Sequence, residues 1–202
     1  MGVVKLSTAG ILDYQKYSSA LAGNTPYSPI PPSSYDLLET EILTGTQASV
    51  TFSNLNSTYG ADYQHLQIRA TMDATGNFGT VYDVFATLNG DTGANYNSHG
   101  IRGNGSSFYP YYSASTNFTA LTGSTTSAGG AFAGAIIDIL DPFETTKYTT
   151  LRSFTGLGAY TVGLQSVLWR NTAALTSLTL TPHGSTSFVV SSRFSLYGLK
   201  AA

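Results

Sequence analysis

The stretch from Leu164 to Leu199 constrains the fold most, because it holds three successive segments in which apolar and polar residues alternate. Alternation with a period of two is typical of β-strands that are buried on one face. In the middle segment Leu178 and Leu180 alternate with serine and threonine, and Pro182 then interrupts the pattern. The alternation resumes from Phe188 to Tyr197, which predicts one long half-buried strand. Such a strand needs earlier strands with which to pair.

Strand patterns run back from there to Tyr35. Residues 35–43 and 48–55 predict a hairpin or two neighbouring strands, and residues 63–72 and 80–88 predict a second hairpin pair. Strict alternation in the third of these segments predicts that four side chains point inward, namely Leu66, Ile68, Ala70 and Met72. In a later segment Val162, Leu164, Ser166 and Leu168 share one face.

The fold class follows from the number of these segments and from what separates them. About ten strands are predicted, and no helix-length amphipathic segment lies between them. The sequence therefore predicts an all-β protein, an antiparallel β-sandwich, over residues 35–202.

Composition limits the partners. Hydrophobic residues make up 42% of the chain, enough for a core, but charged residues only 10%, and the net charge is -2. No basic excess is present to neutralise phosphates or anionic lipids, so we expect neither nucleic acid nor a membrane as a partner. With no cysteine, the chain has no disulfides and no thiolate metal ligands. No apolar run approaches the length of a membrane helix.

Residues 1–34 differ from the rest and predict an extended N-terminal arm. A short helix is expected after Thr8, and four prolines between Pro26 and Pro32 then predict an extended spacer. The arm is either a strap over its own domain or an anchor that docks on a neighbouring subunit or particle. The anchoring hypothesis assigns contacts to Leu6, Ile11, Leu12, Tyr14, Tyr17, Leu21, Tyr27 and Ile30.

A second candidate surface lies in the turn-rich segment 103–135, which combines many aromatic residues with no charge. Exposed aromatic residues in such a segment form an apolar patch unless something covers them. We expect a subunit interface or a ligand platform formed by Phe108, Tyr109, Tyr111, Tyr112 and Phe118.

Catalytic patterns are weak. Asp91-Thr92-Gly93 matches the tripeptide of aspartic proteases, but Asn89-Gly90 precedes it, and together these residues are more typical of a hairpin turn. The three histidines are too scattered for a metal site. Asp138, Asp141 and Glu144 are interpreted as solvated turn charges. We therefore predict no enzymatic activity, no cofactor and no metal.

Several runs resemble accessory virion proteins of tailed bacteriophages: LWRNTAALTSLTLTP, RFSLYGLK, and ASVTFSNLNSTYGADYQHLQIR together with TLNGDTGANYNSHGIRGNGSS. The resemblance spans most of residues 35–202. It implies a jelly-roll-like sandwich that is often a homotrimer, located in the virion, with an N-terminal extension that holds the domain to the particle.

Two roles in a virion fit the chain. A capsid decoration or cement protein needs an adhesive arm and a compact head that contacts the major capsid protein or other virion proteins. A tail fibre or receptor-binding module needs a tip that recognises a host surface glycan, and the aromatic segment offers one. The short chain has no coiled-coil or β-helical shaft pattern, which favours decoration.

Overall fold

The computed structural model describes residues 35–76, 81, 83–115, 118–122, 132–158, 160–184 and 186–200. The predicted arm, with all of its candidate anchoring residues, lies outside the described residues. For Ser115 and residues 118–122 the backbone alone is described.

The described residues form twelve strands and one short helix. The strands are β1 (Tyr35–Ile42), β2 (Val50–Ser53), β3 (His65–Met72), β4 (Asp83–Leu88), β5 (Tyr96–Gly103), β6 (Phe108–Ser115), β7 (Phe118–Thr122), β8 (Ala133–Leu140), β9 (Thr149–Leu157), β10 (Thr161–Trp169), β11 (Ser177–Pro182) and β12 (Arg193–Leu199), and the helix is α1 (Leu55–Tyr59). The predicted all-β class is confirmed. The strand count exceeds the predicted ten because the turn-rich segment contributes strands of its own.

Eight of the strands are arranged as a jelly roll. The first strand pairs with the last, β1 with β12, and the pairing continues inward as β2 with β11, β3 with β8 and β4 with β7, all antiparallel. This is a long hairpin rolled up into two facing sheets, ordered β1-β12-β3-β8 and β2-β11-β4-β7. The predicted antiparallel sandwich of jelly-roll type is therefore confirmed.

The pairing corrects both predicted hairpins. Strands β1 and β2 lie in different sheets, and so do β3 and β4. Each of these strands finds its partner far along the chain instead. The apolar pattern of a strand predicts which of its faces is buried, but it does not predict which strand pairs with it.

Two inserted hairpins extend one of the sheets. Strands β9 and β10, and beyond them β5 and β6, continue it past β8 in the order β8-β9-β10-β5-β6. We call this eight-stranded sheet the long sheet and the four-stranded one the short sheet. The face of the long sheet that carries the core is its inner face, and the opposite one is its outer face.

The core lies between the two sheets. The four side chains predicted to point inward from β3 are all buried. Alternate residues of β4 and β11 from the short sheet face them, and Trp169 and Tyr96 are among the largest buried side chains. The core also includes Val84, Leu88, Ile137, Leu151, Leu178, Leu180, Phe194 and Leu196.

The predicted long terminal strand is interrupted. Ser191 has a positive φ of 71°, and its N–H donates to the carbonyl oxygen of Leu43 at 2.8 Å, so the ladder restarts only at Arg193. Phe188 forms isolated bridges with Gln47 and Ala74 instead of joining β12. In the sequence, apolar and polar residues continue to alternate across the break. The sequence pattern therefore did not reveal the break.

Candidate functional site on the long sheet

The β5–β6 hairpin carries most of the predicted aromatic surface. Its turn is held by Asn104, whose Oδ1 accepts the backbone N–H of Ser106 at 3.1 Å and of Ser107 at 2.9 Å. Gly105 supplies the positive φ, 84°, that the turn requires. These bonds set the register in which Gly103 lies opposite Phe108.

This hairpin separates the predicted aromatic residues instead of joining them. Because neighbouring strand residues point to opposite faces, Phe108 and Tyr112 lie on the outer face, while Tyr109 and Tyr111 lie on the inner face. Phe118 belongs to β7 in the short sheet, and its side chain lies outside the described residues. The four hairpin residues are therefore divided between two faces of the sheet, and their role as a subunit interface or a ligand platform stays a prediction.

A row of apolar side chains crosses the outer face of the long sheet. Strand registers place Ile136, Phe154, Leu164, Ile101 and Pro110 directly opposite one another on five successive strands. The first four of these side chains are between 37% and 51% exposed. Sequence analysis missed this row, because its members come from three distant segments of the chain.

The next row along the same face is polar. It contains Asp138, Arg152, Ser166, His99 and Tyr112 in register. Arg152 Nη2 lies 3.5 Å from Asp138 Oδ2, and the rings of His99 and Tyr112 are 4.7 Å apart. Together the two rows line a shallow concavity of about 1010 Å³. Asp138 is thus an ion-paired strand residue and not the turn charge inferred from the sequence.

In strands β5, β9 and β10 the usual arrangement, with apolar side chains inside and polar side chains outside, is partly reversed. Opposite the exposed apolar residues, the inner face of β5, β9 and β10 buries polar side chains, namely Ser98, Ser153, Thr155 and Gln165. Ser153 Oγ and Gln165 Nε2 are buried without a hydrogen-bond partner. The shared face predicted for Val162, Leu164 and Ser166 exists, but it is the exposed one. In this part of the sheet, exposed apolar side chains therefore lie over buried polar ones.

The other end of the outer face carries an aromatic and cationic cluster. The rings of Tyr35 and Tyr197 stack with centroids 4.8 Å apart, and the Arg69 guanidinium lies 5.2 Å from the Tyr35 ring centroid. Arg69 Nε also donates to Gln67 Oε1 at 3.0 Å, and Gln67 Nε2 donates to Asp138 Oδ1 at 2.7 Å. This network joins the cluster to the polar row.

The Asp91 segment forms a turn. Asn89 and Gly90 both have positive φ, 52° and 66°, and the Asp91 N–H donates to the Leu88 carbonyl oxygen at 2.8 Å, as in the tight turns that Asn-Gly favours. The Asp91 carboxylate accepts bonds of 2.8 Å from Trp169 Nε1, Asn95 Nδ2 and the Gly93 N–H. Burial alone would raise the pKa of Asp91, but these hydrogen bonds outweigh it and hold the pKa below its ordinary value. Asp91 is therefore an ionised acceptor that organises the turn.

The histidines occupy separate places. His65 Nδ1 accepts the Asp141 backbone N–H at 3.0 Å, and His183 packs against Phe85. Within the part of the chain that the structure describes, no three His, Asp or Glu side chains come close enough to hold a metal ion. Among the same residues, no helix has the length and apolar character needed to cross a membrane.

No protein-family model matches this chain, and no curated protein sequence matches it significantly.

Proposed function

We propose that this protein is a non-enzymatic structural component of a bacteriophage virion, a capsid decoration or cement protein whose copies associate through the outer face of the long sheet. The observation that carries the proposal is the exposed apolar row on that face, with polar side chains buried beneath it. Monomeric proteins seldom expose contiguous apolar patches of this kind, whereas interfaces have an apolar centre with a polar rim.

The dimensions of the face suit a stable interface. Eight strands spaced about 4.8 Å apart, each about 27 Å long, present about 900 Å², whereas a standard interface buries about 800 Å² per partner. The apolar row supplies the centre, and the row containing Asp138 and Arg152 supplies part of the rim. The resemblance to phage accessory proteins supports the virion setting and a trimer. The jelly roll is compatible with this role but does not select it, because unrelated functions share the fold.

Self-association is tested by replacing Phe154 and Leu164 together with serine. We expect the double variant to remain folded, because both side chains are about half exposed, and to associate about 100-fold more weakly than the wild type, which corresponds to about 3 kcal/mol. Light scattering over a range of concentrations measures this. Val190→Ser is the matched control, since Val190 is 52% exposed outside the two rows. An unchanged oligomer in the double variant would refute the outer-face interface.

Particle binding is tested separately with residues 1–34. Wild-type protein and a variant that begins at Tyr35 are each mixed with particles stripped of the protein and then sedimented. If the arm is the anchor, the variant keeps its oligomeric mass and loses about 90% of its co-sedimentation, because about twenty-fold weaker binding suffices for that loss near half saturation. A truncated protein that fails to fold identifies the arm as a strap over its own domain instead. Equal co-sedimentation of both proteins contradicts the anchoring role.

A further inference from the structure

The inner face of the β5–β6 hairpin contains a second concavity, separate from the outer-face rows. It has a volume of about 610 Å³ and lies between β5, β6, the start of β4 and the turn from β9 to β10. Its described lining includes Asp83, Arg102, Tyr109, Tyr111, Tyr160 and Thr161. A volume in this range is typical of small-ligand pockets. We call it the tyrosine pocket.

Three tyrosine rings give the pocket its apolar surfaces. Tyr109 remains 49% exposed, and Tyr160 is partly buried against the core. Tyr111 lies across Gly100 on the neighbouring strand, so closely that a Cβ atom at Gly100 would come within 2.4 Å of the Tyr111 ring. The glycine therefore allows this ring to lie flat against the sheet.

The polar groups of the pocket are balanced in charge. Arg102 and Asp83 form an ion pair, and both side chains are about 30% exposed. A guanidinium has five N–H donors and a carboxylate about four acceptor positions, so the pair keeps hydrogen-bonding capacity for a ligand. Burial raises the pKa of Tyr111, and the nearby Arg102 charge opposes this only in part. The Tyr111 hydroxyl therefore stays protonated at neutral pH and remains a donor.

These features select a class of ligand. A net charge on a ligand would add little binding free energy, because attraction to one charge of the ion pair is offset by repulsion from the other. A purely apolar ligand would displace water from the ion pair and the hydroxyls without replacing the hydrogen bonds of that water, which is costly. A neutral sugar ring has C–H faces that pack on aromatic rings and hydroxyls that pair with both donors and acceptors. We propose that the tyrosine pocket binds a neutral saccharide. This inference goes beyond the structural role and does not depend on it.

The experiment uses the full chain and a panel of glucose, galactose, mannose and N-acetylglucosamine, with glucuronic acid and sialic acid as charged comparators. Saturation-transfer NMR detects binding, and calorimetric titration measures the affinity. We expect at least one neutral sugar to bind at millimolar concentration or tighter, and the acidic sugars to bind about ten-fold more weakly. Binding of none of the neutral sugars would overturn the proposal, as would preferential binding of the acidic ones.

Three variants locate the site. Tyr109→Ala removes an exposed ring and is expected to weaken binding at least ten-fold, whereas Tyr148→Ala removes a ring that is equally exposed, 49% in both cases, outside the pocket. Gly100→Ala is expected to displace the Tyr111 ring and weaken binding without removing any pocket side chain. Equal affinities for the Tyr109 and Tyr148 variants would refute the location. Light scattering of the same samples reports the oligomeric state independently, so failure of one proposal leaves the other open to its own test.

Discussion

Replacing Asp91 with alanine is expected to lower the free energy of unfolding by about 3 kcal/mol, because the Trp169 indole N–H is then buried without an acceptor. Trp169 is completely buried, and Asp91 Oδ2 accepts its N–H at 2.8 Å. The same substitution removes the acceptor for Asn95 Nδ2 and for the Gly93 N–H. Chemical denaturation followed by Trp169 fluorescence measures the change, since the chain has a single tryptophan.

Asp91→Asn is the control for shape. It keeps one oxygen for Trp169 but loses the charge, so about 1 kcal/mol is expected. The pKa of Asp91 is lowered in the folded state, so its ionised form stabilises the fold fully above the unfolded pKa of about 3.9. That contribution is lost as the pH falls through the lower folded pKa. The stability difference between wild type and Asp91→Asn should therefore hold from pH 7 to about pH 5 and shrink below about pH 4. A difference independent of pH would contradict this account.

Replacing Phe188 with alanine is expected to cost about 4 kcal/mol, the usual range for deleting a fully buried phenylalanine. Its ring is completely buried and meets Phe194 edge-on with centroids 4.8 Å apart. Phe188 also exchanges backbone hydrogen bonds of 2.8 and 3.0 Å with Gln47, and these bonds survive the substitution. The expected loss is therefore one of packing. Thermal and chemical unfolding of the variant measure it.

Two further substitutions serve as controls for Phe188→Ala. Phe188→Leu retains most of the buried volume and should cost less than half as much. Val190→Ala, two residues away and exposed, should change stability by less than about 0.5 kcal/mol. If Val190→Ala costs as much as Phe188→Ala, the terminal segment is one continuous strand that buries Phe188 and Val190 on the same face, and the break at Ser191 is wrong.

The sequence predicted local features of the fold well and long-range ones poorly. Alternation identified the strand and the buried face of β3, because Leu66 and Ile68 face the core while Gln67 and Arg69 are polar. It assigned the wrong partner to β3 and β4, since β3 pairs with β8 and β12 and β4 pairs with β7 and β11, all of them more than thirty residues away along the chain. The alternating pattern also predicted that Leu164 and Val162 share one face of a strand. It did not predict whether that face is buried or exposed.

The candidate sites show the same limit. Aromatic content without charge drew attention to residues 108–112, and period-two geometry alone already implies that Tyr109 and Tyr112 lie on opposite faces. The lining of the tyrosine pocket also includes Asp83 and Tyr160, which are separated by 77 positions along the chain. Neither local composition nor spacing brings such residues together, so the topology had to be known first.

The place of β12 between β1 and β3 has a consequence for how the chain folds. The last described strand fills a gap between two early ones, so β1 and β3 have an open side facing each other until it arrives. A growing chain on the ribosome therefore cannot close its jelly roll early, and its folding depends on contacts of very high sequence separation, which form slowly. During that delay the unpaired edges are exposed to other chains. A low expression level, which leaves fewer chains with unpaired edges present at the same time, should therefore raise the yield of correctly folded protein.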